Sequence, residues 1–151
     1  MSAKKPGVIG IAVAVTLILA GCGSTVGQVE QAPATVKPVA GSRVQQVQLT
    51  GPAVHRLGVR TQPVAVATGA ASSPGGPHKV IPYSAVVYDT DGSTWTYVNT
   101  AARNFVRERI AVAEIEGPTA VLTKGPAVGA MVVTVGAPEL LGAEYDISGE
   151  E

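Results

Sequence analysis

Among side chains that carry chemistry, the thiol of Cys22 stands alone as the only cysteine in 151 residues. A single cysteine permits neither a disulfide within the chain nor a multi-cysteine metal site. His55 and His78 are the only histidines. A metal centre needs further ligands at matched spacing, which neither has, so both read as solvated or capping side chains. Asp89 and Asp91 begin like a calcium loop, but no ligand-rich continuation follows and no Glu stands at the twelfth position. They read as turn-forming aspartates. Ser72, Ser73 and Ser84 have no Gly-x-Ser-x-Gly setting and no partner base. Arg103, Arg107 and Arg109 gather around Glu108, a pattern that suits a solvated strand face and makes these three arginines candidate partner contacts. Trp95 and Tyr97, two residues apart, share a strand face as packing side chains. The expectation is a non-enzyme: no catalytic residues, no metal ligands and no cofactor beyond covalent lipid.

What precedes Cys22 gives that thiol its use. Lys4 and Lys5 form a short positive start, Val8 to Ala20 is an uncharged and mostly apolar run, and Leu19-Ala20-Gly21 brings small residues up to the cysteine. This is the layout of a secretory signal. The run is shorter than the ~20 apolar residues a spanning helix needs. The order Leu-Ala-Gly-Cys resembles the lipobox of bacterial lipoproteins. The resemblance implies cleavage between Gly21 and Cys22, and diacylglycerol and acyl chains on Cys22. Each buried methylene contributes about 0.8 kcal/mol, so two or three chains anchor stably. An uncleaved anchor with an incidental cysteine is the competing reading. The implied location is the cell membrane, lipid-anchored on its extracytoplasmic face. Gly23 is not the aspartate that commonly retains lipoproteins at the inner membrane, and which membrane is used stays open.

Cleavage would remove 21 of the 151 residues and leave 130, enough for one domain and a tether. Without Lys4 and Lys5, nine basic residues face 11 acidic ones, a formal charge of −2. No basic stripe is present to attract nucleic acid or anionic lipid. Eighteen Gly and 11 Pro interrupt nearly every segment, which disfavours long helices and favours short strands joined by turns. Residues 22–43, poor in charge and without period, read as a flexible tether, and residues 67–79 as a Gly/Pro/Ser loop. Residues 148–151 read as a frayed tail.

Residues 44–147 are the expected domain. Val44 to Leu49 reads as a strand. A short helix follows, capped by Thr50, with Pro52 in its first turn and Gly58 at its end. Val59 to Val66 and Val80 to Tyr88 read as strands, Asp89 to Ser93 as a hairpin turn and Trp95 to Asn99 as the returning strand. Phe105 to Ile115 alternates as one strand. Ala120 to Thr123 and Met131 to Val135 follow, and Pro138 to Leu141 reads as a single helical turn. The fold class is mainly β: a small antiparallel, barrel- or sandwich-like domain with one short helix.

Three blocks, Val47 to Thr61, Val80 to Val112 and Gly129 to Glu144, resemble the membrane-proximal domain of periplasmic adaptor subunits (membrane fusion proteins) of resistance–nodulation–division efflux pumps. The match covers residues 45–66 and 80–145 and contains no catalytic motif. Family members place a barrel, a lipoyl-like domain and a helical hairpin between the first block and the second, where this chain has only residues 67–79. The resemblance implies a truncated adaptor: an anchored interaction module with an RND-type or other multi-span transporter as partner. A stand-alone envelope lipoprotein with a structural or ligand-binding role is the alternative, since one fold serves many functions.

Overall fold

Thr50 starts the first helix as its chemistry requires: its hydroxyl oxygen accepts from the Ala53 backbone N–H at 3.3 Å. Gly58 ends that helix at φ 61°, the left-handed geometry glycine adopts without strain. A computed structural model describes residues 32–67 and 78–148. The expected signal, Cys22, the first part of the tether and most of the 67–79 loop lie outside the described residues. In chain order the elements are β1 (Ala34–Pro38), β2 (Gln45–Leu49), α1 (Gly51–Leu57), β3 (Arg60–Pro63), β4 (Ala65–Val66), β5 (Lys79–Pro82), a 3-10 turn (Tyr83–Ala85), β6 (Val87–Tyr88), β7 (Thr94–Ala101), β8 (Asn104–Arg109), β9 (Ala111–Glu116), β10 (Thr119–Lys124), β11 (Met131–Val135) and α2 (Ala137–Ser148).

Two antiparallel sheets result. The larger runs β1-β2-β8-β7-β11-β3, with β6 also pairing β7, and the smaller runs β4-β5-β10-β9. Neither closes into a barrel among the described residues. The expected mainly β, antiparallel domain is what forms. Side-chain alternation divides its interior in two. Val47, Tyr97, Phe105 and Val133 point to a core shared with Ala53 of α1 and with Ala137 and Leu140 of α2. Val98 and Val132, the immediate neighbours of Tyr97 and Val133, point the other way, into a core with Val64, Ile81, Ile110 and Leu122.

Several elements differ from the sequence reading, each for a physical reason. The stretch expected as tether already contains β1, whose five residues pair with β2 from Ala34↔Leu49 to Pro38↔Gln45 and bury Ala34. The domain therefore begins before residue 44. Three apparently continuous strands each change sheets midway. Val59 to Val66 breaks at Val64, which is buried, donates to the Ala130 carbonyl at 2.8 Å and accepts from Gly129 N–H at 2.8 Å. Val80 to Tyr88 breaks at the 3-10 turn, where Ala85 is buried. Phe105 to Ile115 breaks at Ile110, which turns into the second core. The expected single turn at Pro138–Leu141 is the start of the 12-residue α2, so the domain has two helices. Leu140 and Ala143 supply α2 with the apolar contacts that hold it on the sheet.

Candidate functional site

The three arginines of the β7–β8 hairpin do not act together. Strand pairing sets Tyr97 opposite Arg107 and Trp95 opposite Arg109, so all four side chains lie on the face covered by α2. Arg107 turns inward. Its Nη1 lies 2.7 Å from Asp89 Oδ2, and its Nε lies 3.0 Å from Glu144 Oε1 without the alignment of a hydrogen bond. The Arg107, Asp89 and Glu144 side chains are only 12%, 12% and 4% exposed. The expected partner contact at Arg107 is thus taken up within the fold. Arg109 stays exposed with its guanidinium 5.8 Å from the Trp95 ring, and Arg103 is exposed at the hairpin tip.

Aromatic groups complete the cluster, with Tyr97 buried at its centre and Tyr145 exposed at its rim. The Tyr97 hydroxyl donates to Glu144 Oε2 at 2.6 Å, the Tyr145 hydroxyl donates to Asp89 Oδ1, and Arg107 Cζ stacks 4.7 Å from the Trp95 ring centre. The Gln45 backbone N–H reaches Glu144 Oε1 at 3.4 Å. The Tyr145 hydroxyl and the Thr90 N–H hold the Asp89 carboxyl down at about 2, with Arg107 adding to the effect. Burial and the hydrogen bond to Glu144 push the Tyr97 hydroxyl above its ordinary value. Burial works against the Arg107 charge, and Glu144 with the hydroxyl and carboxylate neighbours more than offsets it. The cluster links the β6–β7 turn, the β7–β8 hairpin, β2 and the last turns of α2. It offers no nucleophile beside a free base; its chemistry is that of a buried clasp.

Asp89 and Asp91 do form the expected turn: Asp89 N–H donates to Ser93 O at 2.9 Å and Asp91 Oδ1 accepts from Ser93 N–H at 2.8 Å. Asp89 adds the ion pair that its turn role did not announce. His55 is exposed on α1, and His78 is half-buried and receives the Ala67 N–H at 2.8 Å through its carbonyl. Among the described residues no three His, Cys, Asp or Glu side chains gather as metal ligands. Glu144 and Tyr145 were not legible as site residues, because their role requires α2 to continue past Leu141. A helical reading of 137–148 would have set Leu140 and Glu144, four apart, on one face.

Beside the cluster, Val44, Val98 and Val106 line a groove of about 500 Å³ together with Trp95, Arg107 and the charged Arg43, Glu108 and Arg109. Among the described residues no helix is long and apolar enough to cross a membrane. No family model, curated protein or solved structure matches this chain.

Proposed function

We propose that this chain is a lipid-anchored, non-catalytic interaction module of the extracytoplasmic membrane face, resembling the membrane-proximal domain of an efflux adaptor. The observation that carries the proposal is how the two halves of the chain combine. Segments before residue 67 and after residue 78 pair in both sheets: β2 with β8, β3 with β11 and β4 with β5. Ala67 and His78 are hydrogen-bonded where the intervening residues leave and return. A domain completed by its two ends, with one interruption point at its boundary, is the arrangement expected if the middle domains of an adaptor were absent. Cys22 with its lipid holds this domain to the bilayer, and the groove lined by Val44, Val98 and Val106 among charged side chains offers a partner both apolar and charged contacts.

The test is crosslinking in intact cells from photoreactive residues at Thr100 and Glu108, both exposed and beside the groove. Capture of a multi-span transporter is the expected result. Capture of none, together with wild-type export in a deletion strain, overturns the adaptor reading in favour of a stand-alone lipoprotein. Cys22→Ser tests the anchor separately: it should release or mislocalise the protein, and unchanged membrane retention and mass would refute lipidation.

A further inference from the structure

We infer that the pocket where the tether joins the domain is a binding site for a phosphate group, with Arg103 as its cation. Arg103 is the one non-glycine residue with positive φ among the described residues, at 63°. Side chains other than Asn, Asp and Gly are disfavoured in that geometry, so an arginine at a hairpin tip is held against its backbone preference. Strain of this kind gathers where a side chain is needed in one place.

That place is defined. Leu49 N–H donates to the Arg103 carbonyl at 3.0 Å, and Thr50 N–H donates to the Pro33 carbonyl at 3.0 Å, so the tip and the incoming tether both fasten at the end of β2. The guanidinium lies over Gly51, where a Cβ would be 3.5 Å from Arg103 Nη1. It has no ion pair or side-chain hydrogen bond among the described residues. Thr35, Gln48 and Thr50 share with it a pocket of about 270 Å³ that no acidic side chain lines among the described residues. One water takes about 30 Å³, so a phosphate group fits with part of its hydration. A planar guanidinium suits two phosphate oxygens, and the Thr35 hydroxyl and Gln48 carboxamide supply neutral donors. In a lipid-anchored chain the nearest abundant phosphates are lipid headgroups, although free phosphate has the same chemistry.

The test follows backbone amide resonances of the full chain at residues 49–51 and 102–104. One arm adds inorganic phosphate in neutral detergent, and the other places the chain in nanodiscs with and without phosphatidylglycerol. Saturable shifts with phosphatidylglycerol support a headgroup site, and saturable shifts with inorganic phosphate alone support a soluble phosphate ligand. Arg103→Asn should lower apparent affinity at least tenfold while its urea midpoint equals or exceeds that of the natural chain, since Asn tolerates φ 63° better. Arg103→Lys, which keeps the charge but loses the planar fork, should bind more weakly than the natural chain and more tightly than Arg103→Asn. No shift in either arm, or shifts that Arg103→Asn leaves intact, overturns the inference. The phosphate arm requires no lipid anchor or transporter, so its failure is separate from failure of the adaptor reading.

Discussion

Removing the Arg107 charge should be among the most damaging single changes in the domain. In Arg107→Met the side chain keeps much of its length, but Glu144, 4% exposed, and Asp89, 12% exposed, lose their cation. Tyr97 still donates to Glu144, and Tyr145 to Asp89, so the carboxylates remain hydrogen-bonded yet uncompensated. Breaking a buried pair by removing one partner typically costs about 3–5 kcal/mol. Against a total stability of about 5–15 kcal/mol, this removes a large share. Urea unfolding followed by far-ultraviolet circular dichroism measures it without relying on Trp95, whose emission the substitution itself alters. With a slope of about 1–3 kcal/mol per molar, the midpoint should fall by roughly 2 M with the slope unchanged. The companion variant Arg107→Met, Asp89→Asn, Glu144→Gln removes all three charges and should recover at least half of the loss, because nothing charged is left buried. A single variant within about 1 kcal/mol of the natural chain, or a triple variant no better than the single one, would refute the clasp.

Asp89 sits at about 2 in the folded chain against an ordinary 3.8, so its contribution is complete above about pH 4 and is lost as pH falls toward 2. Asp89→Asn should therefore flatten the acid limb of a stability–pH curve, and equal limbs would contradict this. Tyr97 titrates above its ordinary 10.0 when folded, so its contribution is complete below pH 10 and falls away as pH rises beyond it. Tyr97→Phe should blunt that alkaline loss and cost about 1.5–3 kcal/mol near neutrality, read by urea titration at both pH values. A methyl at Gly125 would stand 2.9 Å from Leu122 Cδ1 and 3.2 Å from Ile110 Cγ2, so Gly125→Ala should destabilise by about 1–3 kcal/mol. In α2 a Cβ at Gly142 meets nothing within 4 Å, and Gly142→Ala should stabilise by about 0.5–1 kcal/mol in thermal unfolding.

What was legible in the sequence is what short-range chemistry dictates. Thr50, Pro52 and Gly58 mark α1 because caps and the left-handed end are satisfied by neighbours within a few residues. Asp89 to Ser93 marks its turn for the same reason, with Gly92 at φ 79°. Gly and Pro density excluded long helices and left a mainly β domain. Tertiary structure decided which core each apolar residue enters. Val64, Ala85 and Ile110 look like ordinary strand or turn members, yet each marks the point where the chain leaves one sheet for the other. The two cores are built from nearly the same aliphatic residues, so periodicity alone cannot tell them apart. The same limit governs the arginines. Arg103, Arg107 and Arg109 share a hairpin and a charge. The arrival of Asp89 from the β6–β7 turn and of Glu144 on α2, 37 positions beyond Arg107, makes Arg107 an internal group while Arg103 and Arg109 stay at the surface. Local sequence determines a turn or a cap through groups that are already adjacent. The partner of a buried charge is settled only when distant segments pack together.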